Sequence, residues 1–203
     1  QYYTYNIMNE IIFDIKKYSY VKDEECDVSF IPMMTRRKLN KFGRCALYTL
    51  YKVYDGTPHR LIFASEYGDV ERVNKLIKQR NDDGEVSPTG FSSSVHNASI
   101  GLFSLLEKNK KGYNSISAGK RTIATGFLES ILSKDAIFCY TESFEGLKSV
   151  SVSVQENKNG HYVLSENQNN HPLTDDFDNF IKFLKGENDI FISESYKVQR
   201  IEK

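Results

Sequence analysis

Apolar positions along the chain recur with two different periods, which predict where its helices and strands lie. The helical spacing is clearest in residues 35–54, where one apolar face is formed by Leu39, Phe42, Ala46, Leu47, Leu50, Val53 and Tyr54. Similar spacing predicts further helices over residues 70–80, 97–108, 120–132 and 174–184. Turn or cap residues such as Asn81 to Gly84 separate these segments from their neighbours.

Short apolar or alternating runs predict the strands. Aromatic and β-branched residues indicate at least one strand in residues 1–16 and others over residues 60–65, 114–117, 136–140 and 189–198. Residues 149–155 alternate serine with valine, which predicts a strand with one buried face. Residues 160–165 are predicted to pair with that strand as a hairpin across the turn at residues 157–160.

The order of these elements predicts a mixed α/β fold. Strands alternate with helices through the middle of the chain, and the predicted hairpin follows them. Such an order is typical of a mostly parallel sheet with an antiparallel edge. The sequence has no internal repeat and no linker-like stretch, so residues 1–203 are expected to form a single domain.

Composition narrows the classes of function. The 203 residues include 13 Tyr and 13 Phe, which favours a folded core, and 27 basic residues balance 27 acidic ones. A balanced charge argues against nucleic acid as a partner, because phosphate binding needs a basic surface. No apolar run is long enough to span a membrane, no signal peptide is evident, and no motif predicts a cofactor.

The cysteines and most histidines give no sign of a chemical site. Cys26, Cys45 and Cys139 are widely spaced and form no CxxC motif, so neither a disulfide framework nor a zinc site is expected, and a cytoplasmic location is the default. Cys45 and Cys139 lie in apolar segments and are expected to be core residues. No partner can be named for the histidines of loops and hairpins, which are His59, His161 and His171.

The segment 87–119 is the strongest candidate for a functional region, because small polar residues there separate regular elements. Ser94 and His96 precede a predicted helix for which Asn97 is a candidate N-cap. A Ser–His pair relays a proton in some enzymes, but a structural, hydrogen-bonded His96 is the favoured interpretation. Residues 117–122 resemble a phosphate-binding loop only weakly, because its first glycine is absent.

Three stretches of the sequence together resemble a known family. They are FIPMMTRRKLNKFGRCALYTLYKV, LIFASEYGDVERVNKLI and SPTGFSSSVHNASIGLFSLLEKNKKGYNSISAGKRTIATGFLESIL, and the most specific parts are residues 32–39 and 87–98. Over residues 28–145 the chain resembles the β-ketoacyl synthase-like N-terminal domain family, whose members accompany fatty-acid-like or aryl-polyene gene clusters. The resemblance implies half of a thiolase-type fold, with a five-stranded mixed sheet and helices on both faces.

The resemblance also implies what the chain lacks. In ketosynthases, the strand before a strand-to-helix elbow ends in Thr-Ala-Cys, and this cysteine carries the acyl group. The matching residues here are Ser117, Ala118 and Gly119, so the nucleophile is replaced by glycine. The chain also has no room for the C-terminal half that supplies the catalytic histidines. No independent ketosynthase activity is therefore expected.

The predicted function is that of an accessory or partner subunit, like a chain length factor, beside an active ketosynthase or an acyl carrier protein. Its candidate pocket consists of Ser94, His96, Asn97 and Gly119, and Arg36, Arg37 and Lys38 are candidates for binding an acidic carrier protein. By the resemblance, residues 113–117 form a sheet edge that pairs with a partner across a two-fold axis.

Two alternatives stay open. One is an acyl transferase or thioesterase that uses Ser94, or another serine, with His96. The other is a homodimeric module that binds an acyl ligand in a cavity under residues 92–97.

Overall fold

The computed structural model of the chain describes residues 10–167 and 172–201. The strands in these residues are β1 (Ile11–Lys22), β2 (Arg60–Ala64), β3 (Tyr113–Ile116), β4 (Asp135–Glu142), β5 (Lys148–Glu156), β6 (Tyr162–Glu166), β7 (Ile190–Ile192) and β8 (Tyr196–Arg200). The helices are α1 (Met33–Arg36), α2 (Lys41–Val53), α3 (Val70–Asp83), α4 (Pro88–Ser92), α5 (Ala98–Leu106), α6 (Thr122–Leu132) and α7 (Phe177–Lys185).

The strands form one sheet in the order β3-β2-β4-β5-β1-β6-β8-β7. Strand β2 is parallel to both β3 and β4, whereas β5 is antiparallel to both β4 and β1. In the unit β3-β2-β4-β5-β1, every strand except β5 therefore points the same way, and the predicted five-stranded, mostly parallel unit is present. The sheet has eight strands rather than five, because β6 pairs with the second edge of β1 and β8 and β7 follow.

The predicted hairpin between β5 and β6 is wrong, because β1 lies between these two strands. Residues 157–160, which suggested the hairpin, contact β1 instead. The backbone amide of Asn157 donates to the Ile12 carbonyl at 3.2 Å. At Gly160 the chain passes so close to β1 that an added Cβ would lie 2.3 Å from the Phe13 carbonyl oxygen. A side chain is excluded at this position, and the glycine lets the chain cross the end of β1.

Helices cover both faces of the sheet, as predicted. On one face, Leu61, Phe63 and Ile137 share a core with apolar residues of α2 and α5. On the other, Ile62 and Phe138 share a core with α6 and α7. Neighbouring residues of β2 thus point into opposite cores, which is why this strand is apolar throughout.

Helix α6 is enclosed on both sides. Its buried residues are Thr122, Ile123, Ala124, Gly126, Phe127, Leu128, Ser130 and Ile131. The Phe127 ring lies 6.1 Å from Phe138 of the sheet and 5.0 Å from Phe180 of α7, measured between ring centroids. The Tyr196 hydroxyl of β8 donates to the Ala124 carbonyl at 2.6 Å. The C-terminal segment therefore completes the core around α6.

Both faces of β5 are buried, which corrects the prediction of a strand with one buried face. Its valines lie in the core beside α6, and Ser149 and Ser151 are fully buried under α2. The Thr49 hydroxyl of α2 lies 2.9 Å from each of these two serine hydroxyls, and Thr141 lies 2.8 Å from Ser149. Serines can occupy a buried face here because their hydroxyl groups satisfy one another.

The helix predicted over residues 35–54 is interrupted. Asn40 begins α2 as its N-cap, and its side chain accepts a hydrogen bond from the Gly43 amide at 3.2 Å. The same side chain donates to the carboxylate of Asp69, the N-cap of α3, at 2.8 Å. The N-terminal ends of α2 and α3 are therefore linked by a hydrogen bond between their N-cap side chains. Because α2 begins at Lys41, Arg36, Arg37 and Lys38 lie before it rather than in its first turn.

The expectation that no disulfide forms is wrong for one pair. Cys26, which follows β1, is bonded to Cys45 of α2, and their Cα atoms are 5.4 Å apart. The 19-residue spacing did not indicate this bond, because the two cysteines are brought together only by the packing of the segment after β1 against α2. Cys139 is a free, buried thiol, as predicted for a core residue. Within the ranges given above, no helix is long and apolar enough to cross a membrane.

Candidate functional site

A tight elbow joins β3 to α6. After β3 ends at Ile116, the backbone turns at Gly119 with a left-handed φ of +59°. The Thr122 hydroxyl accepts from the Ala118 amide at 2.9 Å and donates to the Gly119 carbonyl at 2.6 Å. The first residue of α6 thus closes the turn, and the result has the strand–turn–helix form that presents a nucleophile in other enzymes.

The apex of this elbow carries no functional group. Gly119 is exposed, and a Cβ added there would meet no atom within 4 Å. Space is therefore available for a side chain, although the left-handed backbone would cost a non-glycine residue about 1 kcal/mol. The shape of the elbow is present, and the atom that would react is absent.

The ends of three parallel strands meet beside the elbow. Strands β2, β3 and β4 run in the same direction, so the segments that follow them share one edge of the sheet. The Ser117 hydroxyl donates to the Glu66 carbonyl at 2.9 Å and ties the elbow to the segment after β2. Ligands of open α/β sheets commonly bind at this end of the strands.

Glu142, at the end of β4, holds this edge together. Its carboxylate is 4% exposed and accepts five hydrogen bonds. The donors are the Ser65 hydroxyl (3.1 Å) and the amides of Glu66 (2.9 Å), Tyr67 (3.0 Å), Ser143 (2.9 Å) and Phe144 (3.2 Å). The sequence gave no sign of this role, because four of the five donors are backbone groups.

His96 is hydrogen-bonded through both ring nitrogens. Nε2 lies 2.8 Å from the Ser65 carbonyl oxygen, which can only accept, so Nε2 carries the proton. Nδ1 is then the acceptor for the Ser115 hydroxyl of β3 in the neutral ring. Phe63 packs with its ring against the imidazole, at 5.8 Å between centroids. His96 and the elbow therefore contact adjacent residues of the segment after β2.

The structure does not bring Ser94 to His96. The Ser94 hydroxyl donates instead to the Phe91 carbonyl at 2.8 Å, within the turn that ends α4. Asn97 is the N-cap residue of α5, as predicted, but its side chain makes no capping hydrogen bond. The serine that faces His96 is Ser115, which lies 19 residues further along the chain and has no sequence motif around it.

The remaining described histidines have carboxylate partners that the sequence did not indicate. His59 lies between two aspartates, with Nε2 at 2.9 Å from Asp55 and Nδ1 at 2.8 Å from Asp135. The hydrogen bond from His59 holds the pKa of the Asp55 carboxyl well below its usual range. His161 pairs with Asp14 at 2.8 Å. His171 lies outside the described residues, among which no cluster of metal-ligating side chains occurs.

No described cysteine offers a thiolate at the elbow. Cys26 and Cys45 are bonded to each other. Cys139 is completely buried in β4, and this burial raises the pKa of its thiol. A buried, protonated thiol is a poor nucleophile.

The basic segment, defined as Arg36, Arg37 and Lys38, begins at the last residue of α1 and continues towards α2. Arg37 and Lys38 are exposed, and none of the three forms an ion pair with another residue of the described ranges. The Arg72 guanidinium donates to the Lys38 carbonyl at 3.1 Å, which fixes the backbone of the segment. Met33 and Met34 expose 54% and 67% of their surface next to it. The segment is thus a fixed cationic surface with an apolar neighbour.

The fold and the elbow agree with a ketosynthase-type α/β protein, and the comparison with protein families shows the family. The family described as "Beta-ketoacyl synthase, N-terminal domain" matches residues 15–136, which is more than half of the chain. The chain belongs to this family. A search of curated proteins finds no match.

Solved structures of the same fold come from ketosynthase complexes. One, a ketosynthase in complex with its chain length factor from Xenorhabdus doucetiae, superposes with a TM-score of 0.70 and 18% identity, over 94% of this chain and 100% of that chain. A second is a type II polyketide synthase acyl-carrier protein in complex with its ketosynthase bound to the hexaketide. It superposes with a TM-score of 0.63 and 8% identity, over 78% of this chain and 70% of that chain. The ishigamide ketosynthase/chain length factor superposes with a TM-score of 0.57 and 10% identity, over 78% of this chain and 68% of that chain. Identities this low establish the fold alone.

Proposed function

We propose that this protein is a non-catalytic, ketosynthase-like partner subunit. It acts beside an active ketosynthase, as a chain length factor does, in a fatty-acid-like, polyketide or aryl-polyene pathway. One observation carries the proposal: the elbow keeps the backbone form of a nucleophile site, and its apex residue is Gly119. A scaffold kept without its nucleophile suits a subunit that shapes or supports a neighbouring active site.

The chemistry supports this view. Condensation by a ketosynthase begins with an acyl group on a nucleophilic side chain, and glycine offers only hydrogen at that place. The nearest free thiol in sequence, Cys139, is buried and its pKa is raised by burial. His96 is held by Ser65 and Ser115 rather than directed at the elbow.

The free edge of the sheet supports a partner. Strand β3 is the terminal strand beside β2, and no strand of the described residues pairs with its other side. The Gly112 carbonyl accepts from the Leu61 amide of β2 at 3.2 Å, and the Ile116 carbonyl accepts from the Ser65 amide just after β2 at 3.1 Å, so alternate residues face β2. Tyr113, Ser115 and Ser117 therefore direct their backbone groups outward. An edge of this kind accepts a strand of a second protein.

The direct test is coexpression with a ketosynthase encoded beside this protein, followed by measurement of the mass of the complex in solution. We expect a heterodimer of one copy of each chain. A homodimer that persists when the ketosynthase is present would favour the ligand-binding module instead. Two folded proteins that elute separately at micromolar concentration would refute the proposal.

The basic segment is the proposed docking surface for an acyl carrier protein, whose acidic surface it would complement. Reversing its charge by Arg37→Glu and Lys38→Glu is expected to lower the association rate with a carrier protein by about tenfold at low salt. The measurement is surface plasmon resonance at two salt concentrations, and the difference from the unmodified protein should shrink at high salt.

A matched control for the carrier experiment changes net charge equally at another place. Lys110→Glu and Lys158→Glu alter two exposed lysines outside the basic segment. If this control slows association as much as the double change in the basic segment, carrier binding depends on net charge and the assigned surface is wrong.

A second function, acyl transfer or thioester hydrolysis, is favoured by one specific observation. The Ser115 hydroxyl is exposed and hydrogen-bonded to His96, and the Ser65 carbonyl orients the far side of the imidazole. A hydroxyl, a base and an orienting group in series are the usual parts of an activated serine. The Ser115 amide, which points outward from the sheet edge, would be the donor for an oxyanion.

A fluorophosphonate probe separates this second function from the first. An activated Ser115 would form a covalent adduct, found by peptide mass spectrometry, and Ser115→Ala would lose it. Ser94→Ala is the matched control, because its hydroxyl is bonded to a backbone carbonyl and should not matter. An unlabelled protein would eliminate the second function without affecting the proposal of a partner subunit.

The cytoplasm stays the predicted location. The Cys26–Cys45 disulfide bears on this prediction, because disulfides of reducing compartments are usually transient. A stable disulfide in protein taken directly from cells would argue for a different compartment.

A further inference from the structure

An open cavity of about 440 Å³ lies against the Cys26–Cys45 disulfide. Both cysteines line it, together with Lys41 and Arg44 of α2 and with Glu24 of the segment that follows β1. Neither the elbow nor the basic segment uses this cavity. Both cysteines are largely buried, so the open cavity is the route by which a small reagent would reach the bond.

The two sulfur atoms are not equally accessible. The exposed fraction of Cys26 is 8%, whereas that of Cys45, a residue of α2, is 1%. A reagent that enters the cavity therefore reaches Cys26 first. Lys41 and Arg44 line the cavity together with Glu24, Glu25 and Glu71, so the charges around the bond are mixed. The order of attack therefore follows from the greater exposure of Cys26.

We propose that the Cys26–Cys45 pair is a reversible thiol–disulfide exchange site for low-molecular-weight thiols. The thiolate of the small thiol attacks Sγ of Cys26, the disulfide breaks, and Cys45 leaves as a thiolate. The thiolate of a second small thiol then attacks the small-thiol sulfur of the mixed disulfide, and Cys26 leaves as a thiolate. Two small thiols become one small disulfide, and their two protons end on Cys26 and Cys45.

The exchange changes the attachment of a defined part of the chain. The loop closed by the bond runs from residue 26 to residue 45, and it contains α1 and the whole basic segment. Within it, Val28 and Ile31 are packed in the core formed with α2. Reduction would leave this core in place and free the segment around Cys26, which joins β1 to α1.

The test uses the complete protein purified without reductant and trapped with N-ethylmaleimide. We expect Cys26 and Cys45 to be unlabelled once the protein has been equilibrated with oxidised glutathione, and both to be labelled after incubation with reduced glutathione. Oxidised glutathione should restore the unlabelled state. Cys139 serves as the internal control, because its complete burial should keep it unlabelled throughout in folded protein. Labelling of Cys26 and Cys45 that persists in the presence of oxidised glutathione would overturn the proposal.

The order of attack gives a second, independent measurement. When glutathione is limiting, peptide mapping of the mixed disulfide should find it on Cys26 at least about tenfold more often than on Cys45. Glutathione found mainly on Cys45 would overturn the assignment of Cys26 as the attacked sulfur.

Hydrogen exchange compares the two redox states, and we expect faster exchange after reduction in residues 23–27 only.

Failure of this proposal is distinguishable from failure of the proposed function. The exchange is measured on the isolated chain and involves neither the sheet edge nor a carrier protein. A stable disulfide that resists glutathione would overturn the exchange site and leave the partner-subunit proposal unaffected.

Discussion

Ser115→Pro is expected to abolish association with a partner ketosynthase while the chain keeps its own fold. Proline lacks the amide proton, and the amide of Ser115 points away from β2, towards the free edge of β3. No hydrogen bond within the sheet is lost, because the amides of Gly112, Asn114 and Ile116 face β2. The partner strand, in contrast, loses a central hydrogen bond and meets the proline ring. We expect the dissociation constant to rise by about 100-fold or more, which is roughly 3 kcal/mol.

Two variants control this result. Ser115→Ala removes the hydroxyl bonded to His96 but keeps the amide, so it should bind the partner nearly as well as the unmodified chain. Asn114→Pro removes an amide that faces β2 and should lower the stability of the chain itself. The measurements are isothermal titration calorimetry with the ketosynthase and a thermal melt of each variant. Undiminished binding by a folded Ser115→Pro protein would show that β3 is not the docking edge.

Glu142→Gln is expected to lower the free energy of unfolding by about 3 kcal/mol, because it leaves buried donors without an acceptor. The carboxylate accepts from five donors, and an amide nitrogen in place of either oxygen would face N–H groups instead. The loss should be largest at the strand ends beside the elbow, since the Ser65, Glu66 and Tyr67 contacts hold the segment after β2 in place.

Urea denaturation followed by circular dichroism measures this effect. Glu145→Gln is the matched control, because Glu145 lies in the same turn and is exposed, and its change should stay within about 0.5 kcal/mol. If the two substitutions cost the same, the hydrogen bonds of Glu142 do not contribute to stability as described.

Local signals predicted most of the elements. Helix α3 begins at the N-cap Asp69 and ends at Gly84 in a left-handed conformation, which agrees with the expected start after Asp69 and the stop at residues 81–84. Strands β2 and β4 are apolar because both of their faces are buried, and the sequence identified them on that basis. The prediction failed where pairing depends on distant segments, as when β1 displaced the hairpin between β5 and β6.

The candidate site divides in the same way. The elbow at Gly119 was expected from the residues around it, and its backbone form agrees. The contact between His96 and Ser115 was not predicted, because it joins segments 19 residues apart that carry no common motif. The role of Glu142 was invisible for another reason: its donors are mostly amides, which every sequence has. Cys26 and Cys45 were missed because only the three-dimensional path of the chain brings them together.

The position of β1 has a consequence for synthesis on the ribosome. It is the first strand of the described chain, yet its neighbours are made late: Tyr20 pairs with Val150, which is 150 − 20 = 130 residues further on, and Ile12 pairs with Val163. At ordinary translation rates, β1 waits roughly ten seconds for its partners. Until then its apolar residues, Phe13 among them, have no strand to cover them. Nascent chains that stop before β5 are therefore expected to need a chaperone, and the complete chain should fold slowly for its size.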